Sequence, residues 1–414
     1  MQVPVTFVFF SLFRTDHAYS SISLSMAREL AKTHPVIYVN HPYSLKDIFN
    51  DWRKGDVMVR RRLVDMLLLR RNRYETLDSV PQNFIAVQPP ATLPVNWMPY
   101  GRVYRFFQRV NNRIVLTAIK KAIKRQHCRD FVYINCYDPF FAGTIPADMG
   151  ARLRIYHCID DISQNNYTAR HGVRLEHEAA AQADLTFVTS TNLYHLKAPF
   201  AKRIVHYFNA ADVDNFSRVR TETFSRPALL DGKKGKVIGF IGNLDELRID
   251  YPLIKKIALT HADKTLLLIG PINSPELQEL GIDRLPNVVL AGSRRLHDLP
   301  PLLQHCDVAI IPFLKNTLTK SIYPLKINEY LAAGKPVVAT DFSEDIKGFG
   351  HCAYIAPDHE SFLHLIHRAI AEDSPVLTAQ RCETAAQNTW AARIEYLHRL
   401  VSEYGKAPTS DQSK

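Results

Sequence analysis

A lysine and a glutamate spaced three residues apart give this sequence its clearest chemical signal. They lie in the segment PLKINEYLAAGKPVV, where Pro324 opens a predicted helix and Gly334 ends it, so Lys326 and Glu329 share one face near the helix start. The amides of a helix N-terminus attract phosphate, and a lysine adds a full charge. A carboxylate on that face can accept hydrogen bonds from two adjacent ribose hydroxyls. The same pattern is also typical of an ordinary capped surface helix.

The segment, following CDVAIIPF, resembles the nucleotide-binding segment of bacterial GT-B glycosyltransferases of the group-one type, including surface-polysaccharide enzymes such as those of teichuronic acid and exopolysaccharide synthesis. Weaker likeness extends to FIGNLDELRIDY, NVVLAG, ADLTFVTSTNL and FNAADVDNF. The resemblance implies that Lys326 and Arg248 hold a diphosphate, that Glu329 binds the ribose, and that Gly242 and Asn243 belong to the phosphate loop. It implies hexosyl transfer from a nucleoside-diphosphate sugar, a UDP-sugar by family frequency, to a lipid-linked or polysaccharide acceptor in cell-surface glycan synthesis.

The region of the donor sugar departs from this family. Retaining members carry a second carboxylate eight residues before the ribose glutamate, and this sequence has Ser321 there. We expect Ser321 and Tyr323 to face the donor sugar, and the sequence leaves retention against inversion open. Two other functions stay open as well: a nucleotide-sugar epimerase of similar fold, and a non-catalytic GT-B binding protein.

Three titratable residues follow a predicted strand of the first half, in the segment RIYHCIDDIS. Open α/β sheets form their ligand crevice at the carboxyl ends of the strands. Asp160 or Asp161 can take the proton of an acceptor hydroxyl there, and the other can cap the next helix. The resemblance offers an alternative, because retaining relatives often carry a histidine near the donor sugar, which His157 matches.

The loop after the first predicted strand, SLFRTDHAYSS, brings further polar side chains to the same sheet edge. Arg14, Asp16 and His17 are candidates for contact with the acceptor, although a serine helix cap explains part of this composition. We expect no metal cofactor, because lysine, arginine and helix amides can stabilise a leaving diphosphate. The D-x-D that starts at Asp212 lies in the family-like loop FNAADVDNF, and no His/Cys cluster offers zinc ligands.

Short apolar runs alternate with helical patterns along the chain, which indicates parallel sheets covered by helices. The predicted strands are VTFVFF, VIYV, NFIAVQ, FVYI, RIYH, LTFVTS and RIVHYF in the first half, and KVIGFIG, TLLLIG, NVVLAG, VAIIPF, PVVAT and CAYIA in the second. We therefore predict an α/β protein of two Rossmann-like doubly wound domains that face each other across a cleft. Their predicted bounds are 1–216 for the acceptor domain, 217–235 for a linker, 236–388 for the nucleotide-sugar domain, and 389–414 for a helix that crosses back and a frayed tail.

Basic residues are unevenly distributed. Lysine and arginine number 52 against 41 acids, a net charge of +11 that favours anionic partners. The excess is concentrated in Arg60–Arg73 and Arg102–Arg125, and we predict that these stretches make peripheral contact with an anionic membrane. Nucleic acid is not an expected partner, because no recognised module is present. The apolar stripe predicted to face the core from the second stretch consists of Val103, Phe106, Val110, Ile114 and Ala118.

The cysteines and the apolar runs bear on the compartment. Six cysteines are scattered without metal-ligand pairs, which indicates reduced thiols. The amino terminus lacks a basic leader and a cleavage site, and no apolar stretch approaches the roughly 20 residues of a membrane span. We expect a cytoplasmic protein that is peripheral on the inner face of the plasma membrane.

Overall fold

The chain forms two compact α/β units. A computed structural model describes residues 5–16, 21–53, 73–77, 80–233 and 235–405. The first unit comprises the described residues up to Thr189, Leu193–Tyr207 and those from Ile394 onward, and the second comprises Ser190–Asn192 and Phe208–Arg393.

The first unit is built on an eight-stranded sheet of order β3-β4-β2-β1-β5-β6-β7-β8. Its neighbours are parallel except that β3 runs antiparallel to β4. Every position of β1, β2 and β5 is buried, which is typical of a parallel sheet covered on both faces. The strands are β1 (Thr6–Ser11), β2 (Val36–Asn40), β3 (Arg73–Glu75), β4 (Phe84–Gln88), β5 (Phe131–Cys136), β6 (Ala151–Cys158), β7 (Leu185–Val188) and β8 (Ile204–His206).

Helices connect these strands. Ser21 caps α1 by accepting a hydrogen bond from the Leu24 amide (3.2 Å), and Asn165 caps α4 in the same way. The last helix, α15, contacts the first unit, where its His398 ring stacks on Phe7 with centroids 6.2 Å apart. The helices are α1 (Ile22–Ala31), α2 (Leu45–Arg53), α3 (Arg102–Arg125), α4 (Asn166–Gln182), α5 (Thr191–Lys197) and α15 (Trp390–Tyr404).

The buried face of α3 differs from the predicted one. Val103 is 63% exposed and Phe106 is 61% exposed, so the stripe predicted from these positions is wrong at its N-terminal end. Ala118 is buried as predicted, but the other buried positions are displaced from the predicted stripe by one residue or more, and the first two turns carry apolar side chains on the surface. The buried positions are Tyr104, Asn111, Val115, Ala118, Ile119, Ala122 and Ile123.

The second unit has a six-stranded parallel sheet of order β11-β10-β9-β12-β13-β14. Its strands are β9 (Val237–Ile241), β10 (Thr265–Ile269), β11 (Val288–Gly292), β12 (Val308–Ile311), β13 (Val337–Thr340) and β14 (Tyr354–Ala356). Its helices are α6 (Val213–Thr221), α7 (Tyr251–Thr260), α8 (Glu276–Glu279), α9 (Leu299–Gln304), α10 (Thr317–Lys320), α11 (Leu325–Ala332), α12 (Glu344–Lys347), α13 (His359–Ala371) and α14 (Pro375–Ala386).

The segment predicted to be a linker, 217–235, is part of the second unit in the described residues. Phe216 and Leu230 are fully buried in a core that also contains Leu303 and Tyr330. The polar composition of the segment reflects its outer face, while α6 packs its apolar side chains against α9 and α11.

Membrane-related predictions fall partly outside the described residues. Of the basic stretch Arg60–Arg73, only Arg73 belongs to them. Among the residues that the structure describes, no helix combines the length and the hydrophobicity that a membrane span requires.

Candidate active site

The nucleotide-binding segment predicted from the sequence lies at the topological switch point of the second sheet. From β9 the chain continues to β10 and β11 on one side, while β12, which pairs with β9, leads to β13 and β14 on the other. Open α/β sheets bind ligands in the crevice at this point. Two hydrogen bonds join the segments that flank it: the Leu314 amide donates to the Arg248 carbonyl (2.7 Å), and the Ile241 amide donates to the Tyr330 hydroxyl of α11 (2.8 Å).

Lys326 and Glu329 form an ion pair in the first turns of α11. The Lys326 Nζ lies 2.7 Å from Glu329 Oε2. The glutamate is buried, and the lysine side chain is partly exposed. Pro324 occupies the cap position and provides no side-chain cap, so a ligand anion can be stabilised by this helix end. A bound diphosphate would attract the Lys326 ammonium group, and the hydroxyls of a ribose would donate hydrogen bonds to the Glu329 carboxylate.

The loop after β9 is held by a carboxylate that sequence reasoning missed. Asp245 accepts hydrogen bonds from the amides of Leu247 and Arg248 (3.1 and 3.0 Å) through Oδ1. Its Oδ2 lies 2.9 Å from Arg248 Nη1. Asp245 is buried while the Arg248 side chain is about one-third exposed, so the carboxylate fixes the guanidinium at the rim of the crevice. The sequence could have indicated this pair, because Asp245 precedes Arg248 by three residues and a carboxylate at that spacing can pair with an arginine.

The backbone of the predicted phosphate loop packs directly against the backbone of the loop that follows β10. Gly270 has φ 151°, and a Cβ there would lie 1.8 Å from the Gly242 carbonyl oxygen, so this contact requires glycine. The adjacent Asn243 is exposed and accepts a hydrogen bond from the Asn273 side chain (2.8 Å). Gly242 and Asn243 therefore lie at the carboxyl end of β9, against the loop that follows β10.

The two residues predicted to face the donor sugar are buried and bonded within the second unit. Ser321 Oγ accepts a hydrogen bond from the Asn192 side chain (2.8 Å), and its carbonyl accepts one from Ser190 (2.7 Å). The Tyr323 hydroxyl accepts from Asn328 (3.2 Å), and burial raises the pKa of Tyr323. A contact with donor sugar through these two side chains stays a prediction.

The first sheet has its switch point between β1 and β5, and a histidine–aspartate pair spans it. His41 follows β2, Asp138 follows β5, and His41 Nδ1 lies 2.6 Å from Asp138 Oδ2. The aspartate is fully buried and also accepts from the amides of Phe140 and Phe141 (3.2 and 3.4 Å). When Nδ1 donates to this carboxylate, Nε2 is left as a hydrogen-bond acceptor. Sequence reasoning missed the pair because its members are far apart in the chain and form no motif.

The three predicted catalytic residues adopt different environments at the end of β6. Asp161 is buried and caps the short 3₁₀ helix Ile162–Gln164, accepting from Ser163 N (3.0 Å) and Oγ (2.7 Å). Asp160 is half-buried, and its Oδ1 accepts from the Asp161 amide (2.9 Å). His157 is fully buried, and burial lowers its pKa to about 3, so its imidazole is neutral near pH 7.

The predicted acceptor loop contacts the loop that follows β2. Arg14 Nε lies 3.4 Å from Asp16 Oδ1, and the Arg14 guanidinium lies 3.8 Å above the Tyr43 ring. The Tyr43 hydroxyl donates to Asp16. Arg14 and Asp16 thus reach the same sheet edge as His41, two residues before Tyr43. His17, the third predicted contact, lies outside the described residues.

The second unit is similar to a known family of glycosyltransferases. Residues 235–372 match the family model described as glycosyl transferases group 1. A segment of 121 residues is 35% identical to the teichuronic acid biosynthesis glycosyltransferase TuaH of Bacillus subtilis, and the match covers 29% of this chain and 30% of that protein. The resemblance to this group and to its surface-polysaccharide members, predicted from PLKINEYLAAGKPVV, is confirmed.

Solved structures show the same fold over nearly the whole chain. Sucrose-phosphate synthase from Thermosynechococcus elongatus has a TM-score of 0.64 at 14% identity, covering 96% of this chain and 98% of its own. HepE of Anabaena, in complex with UDP-glucose, has a TM-score of 0.62 at 14% identity, covering 96% and 99%. The predicted class of two Rossmann-like α/β domains is confirmed.

The structure bears on the predicted absence of a metal cofactor only through the placement of its possible ligands. Among the described residues, no three His, Cys, Asp or Glu side chains converge on a common point. Asp212, the first residue of the D-x-D, caps α6 by accepting from the Asn215 amide (3.1 Å). Metal independence stays a prediction.

Proposed function

We propose that this protein transfers a hexosyl group from a nucleoside-diphosphate sugar, a UDP-sugar, to a hydroxyl of a lipid-linked or polysaccharide acceptor in cell-surface glycan synthesis. One observation carries the proposal: Lys326 and the buried Glu329 form an ion pair on the first turns of α11, at the switch point of a group 1 glycosyl transferase unit. HepE, which shares the fold, binds UDP-glucose. A diphosphate needs cations and helix amides, a ribose needs a carboxylate, and this turn offers all of them.

The chemical step follows from these groups. The acceptor oxygen forms a bond to the anomeric carbon, and the bond from that carbon to the diphosphate oxygen breaks with its electron pair leaving on the phosphate. Lys326, Arg248 and the amides of α11 stabilise the charge that develops there. Asp160 takes the hydroxyl proton if transfer proceeds by inversion. The buried imidazole of His157 is the alternative centre of a retaining mechanism.

The acceptor binds the first unit in this proposal. Its sheet edge presents Arg14 and Asp16 after β1, His41 after β2 and Asp160 after β6. The buried Asp138 orients His41 so that Nε2 can accept a hydrogen bond from a sugar hydroxyl. These side chains are of the types that recognise hydroxyl-rich substrates.

Peripheral membrane contact on the cytoplasmic side is part of the same proposal. The helix α3 carries no acid in 24 residues and has cations along its exposed side. Anionic lipid headgroups attract such a surface. A lipid-linked acceptor would then be presented to the first unit at the membrane surface.

The donor site is tested by nucleotide binding. Lys326→Ala is expected to weaken UDP affinity by roughly ten- to a hundredfold, because a charge-assisted contact contributes about 1.5 to 3 kcal/mol. Glu329→Gln should weaken the binding of the nucleoside while the fold is kept, since the amide has nearly the same shape. Calorimetric titration of each variant with UDP gives both affinities.

The matched control is Lys256→Ala in the same unit. Lys256 is exposed and lies 3.4 Å from Glu360, so it forms a lysine–glutamate pair away from α11. Its UDP affinity should equal that of the wild type. Unchanged affinity in Lys326→Ala would remove the diphosphate role from this lysine.

A further inference from the structure

Large apolar side chains are exposed together on the first unit. Trp97 is 63% exposed, and Val103 and Phe106 at the start of α3 are exposed to a similar extent. Such side chains are costly to leave in water when they are contiguous. We name this surface the aromatic face, and its members are Leu45, Phe49, Trp97, Tyr100, Val103, Phe106 and Tyr167.

Contacts between three elements hold the aromatic face in one place. The Asn96 side chain donates to the Tyr167 carbonyl at the start of α4 (2.7 Å). The Arg174 guanidinium of α4 lies 4.4 Å above the Tyr100 ring. Partial desolvation of the Tyr167 hydroxyl and then the charge of Asp47, a residue of α2, raise the pKa of Tyr167. The residues before α3, the start of α4 and the helix α2 are therefore neighbours.

The border of the aromatic face is strongly basic. Arg102, Arg105 and Arg109 are exposed on α3 between and beside Val103 and Phe106. Lys46 and Arg53 are exposed on α2, and Arg170 is exposed on α4. Aromatic side chains surrounded by lysine and arginine are typical of surfaces that rest in the interfacial layer of an anionic membrane.

We propose that the aromatic face inserts its apolar side chains into an anionic lipid surface. The cations attract the headgroups, and Phe49, Trp97 and Phe106 enter the boundary between headgroups and acyl chains. Insertion differs from electrostatic contact alone, because buried apolar side chains add a contribution to the binding free energy that salt does not screen. The inference rests on the proposed function in one respect, that a lipid-linked acceptor is met at the membrane.

The test uses the full chain and two kinds of vesicle. One kind contains equal parts of phosphatidylcholine and phosphatidylglycerol, and the other contains phosphatidylcholine alone. We expect co-sedimentation with the anionic vesicles that weakens as salt rises but does not vanish. The emission spectrum of Trp97 is obtained by subtracting the spectrum of Trp97→Phe from that of the wild type. On binding, this emission should shift to shorter wavelength, and lipids brominated on the acyl chain should quench it.

A triple variant measures the apolar contribution. Phe49→Ser, Trp97→Ser and Phe106→Ser together should weaken anionic vesicle binding by at least about a hundredfold, since each removes an inserted aromatic ring. The control replaces three exposed apolar residues of the second unit, Leu259, Leu290 and Val376, and should bind like the wild type. All six side chains are exposed, so both variants are expected to fold.

Several results would overturn the proposal. The control variant could lose as much binding to anionic vesicles as the aromatic triple variant, or the aromatic triple variant could bind them like the wild type. The emission of Trp97 could also stay unchanged when vesicles are added. A wild-type dimer that the aromatic triple variant converts to a monomer, measured by light scattering without lipid, would show that a second copy covers this face. UDP release in the presence of a lipid and glycan extract, measured without added vesicles, separates the two proposals, because its absence in the wild type would count against the proposed function alone.

Discussion

Asp160→Asn is expected to slow transfer by roughly 10² to 10⁴ while UDP affinity stays that of the wild type. The carboxylate follows β6 at the sheet edge and is half-buried, so it can reach an acceptor hydroxyl from the first unit. Losing a general base affects the chemical step and leaves the nucleotide contacts of the second unit intact. Initial rates with saturating donor, together with calorimetry, separate the two effects.

Asp161→Asn is the matched control, because it removes the same charge one residue away. The Asp161 carboxylate already accepts hydrogen bonds from the Ser163 amide and hydroxyl, and asparagine can serve as the same helix cap. This variant should retain near-normal turnover. Normal turnover in Asp160→Asn would place the proton acceptor elsewhere, and His157 in a retaining mechanism would become the better assignment.

Lys197→Met is expected to lower the free energy of unfolding by about 3 to 5 kcal/mol, because it leaves a buried carboxylate without its counter-charge. Glu176 is fully buried and forms an ion pair with Lys197, which is 4% exposed. Burial acts to lower the pKa of Lys197, but the Glu176 carboxylate outweighs it and raises this pKa. The Tyr156 hydroxyl and the Cys158 thiol also donate to Glu176. Urea denaturation followed by circular dichroism measures the change.

The control for this variant is Lys32→Met. Lys32 follows the last residue of α1 in the same unit, is exposed, and pairs with Glu29 at 2.7 Å. An exposed pair contributes at most about 1 kcal/mol, so the control should be close to the wild type. A similar small effect in Lys197→Met would mean that the buried ion pair does not stabilise the first unit.

Much of the fold follows from the sequence because the strands are short apolar runs. Each predicted run, from VTFVFF to CAYIA, overlaps a strand of the structure. The face of α3 could not be predicted in the same way. Its apolar residues occupy more than one stripe, and only tertiary packing decides that Tyr104 is buried while Val103 and Phe106 are exposed. The packing of the segment after Phe216 also depends on tertiary structure, since Val219 and Leu230 lie in the core of the second unit.

The candidate site was predictable where residues are close in the chain. Lys326 and Glu329 form a pair because helix geometry sets their separation. His41 and Asp138 meet only because β2 and β5 flank β1 in the sheet, and nothing local in the sequence encodes that order. The choice between Asp160 and Asp161 likewise depends on which carboxylate the following turn uses as its cap.

Hexosyl transfer consumes a nucleotide sugar, so donor consumption is the decisive measurement for the proposed function. Purified protein is incubated with a panel of UDP- and GDP-sugars, with and without a lipid and glycan extract of the producing cells. Released nucleotide and sugar incorporated into the extract are measured together. We expect release of UDP from one donor, dependent on the extract and matched by incorporated sugar. A changed sugar or free nucleotide from donor alone would indicate an epimerase, and nucleotide binding without release on any extract would indicate a binding protein; either result would rule out the proposed transfer.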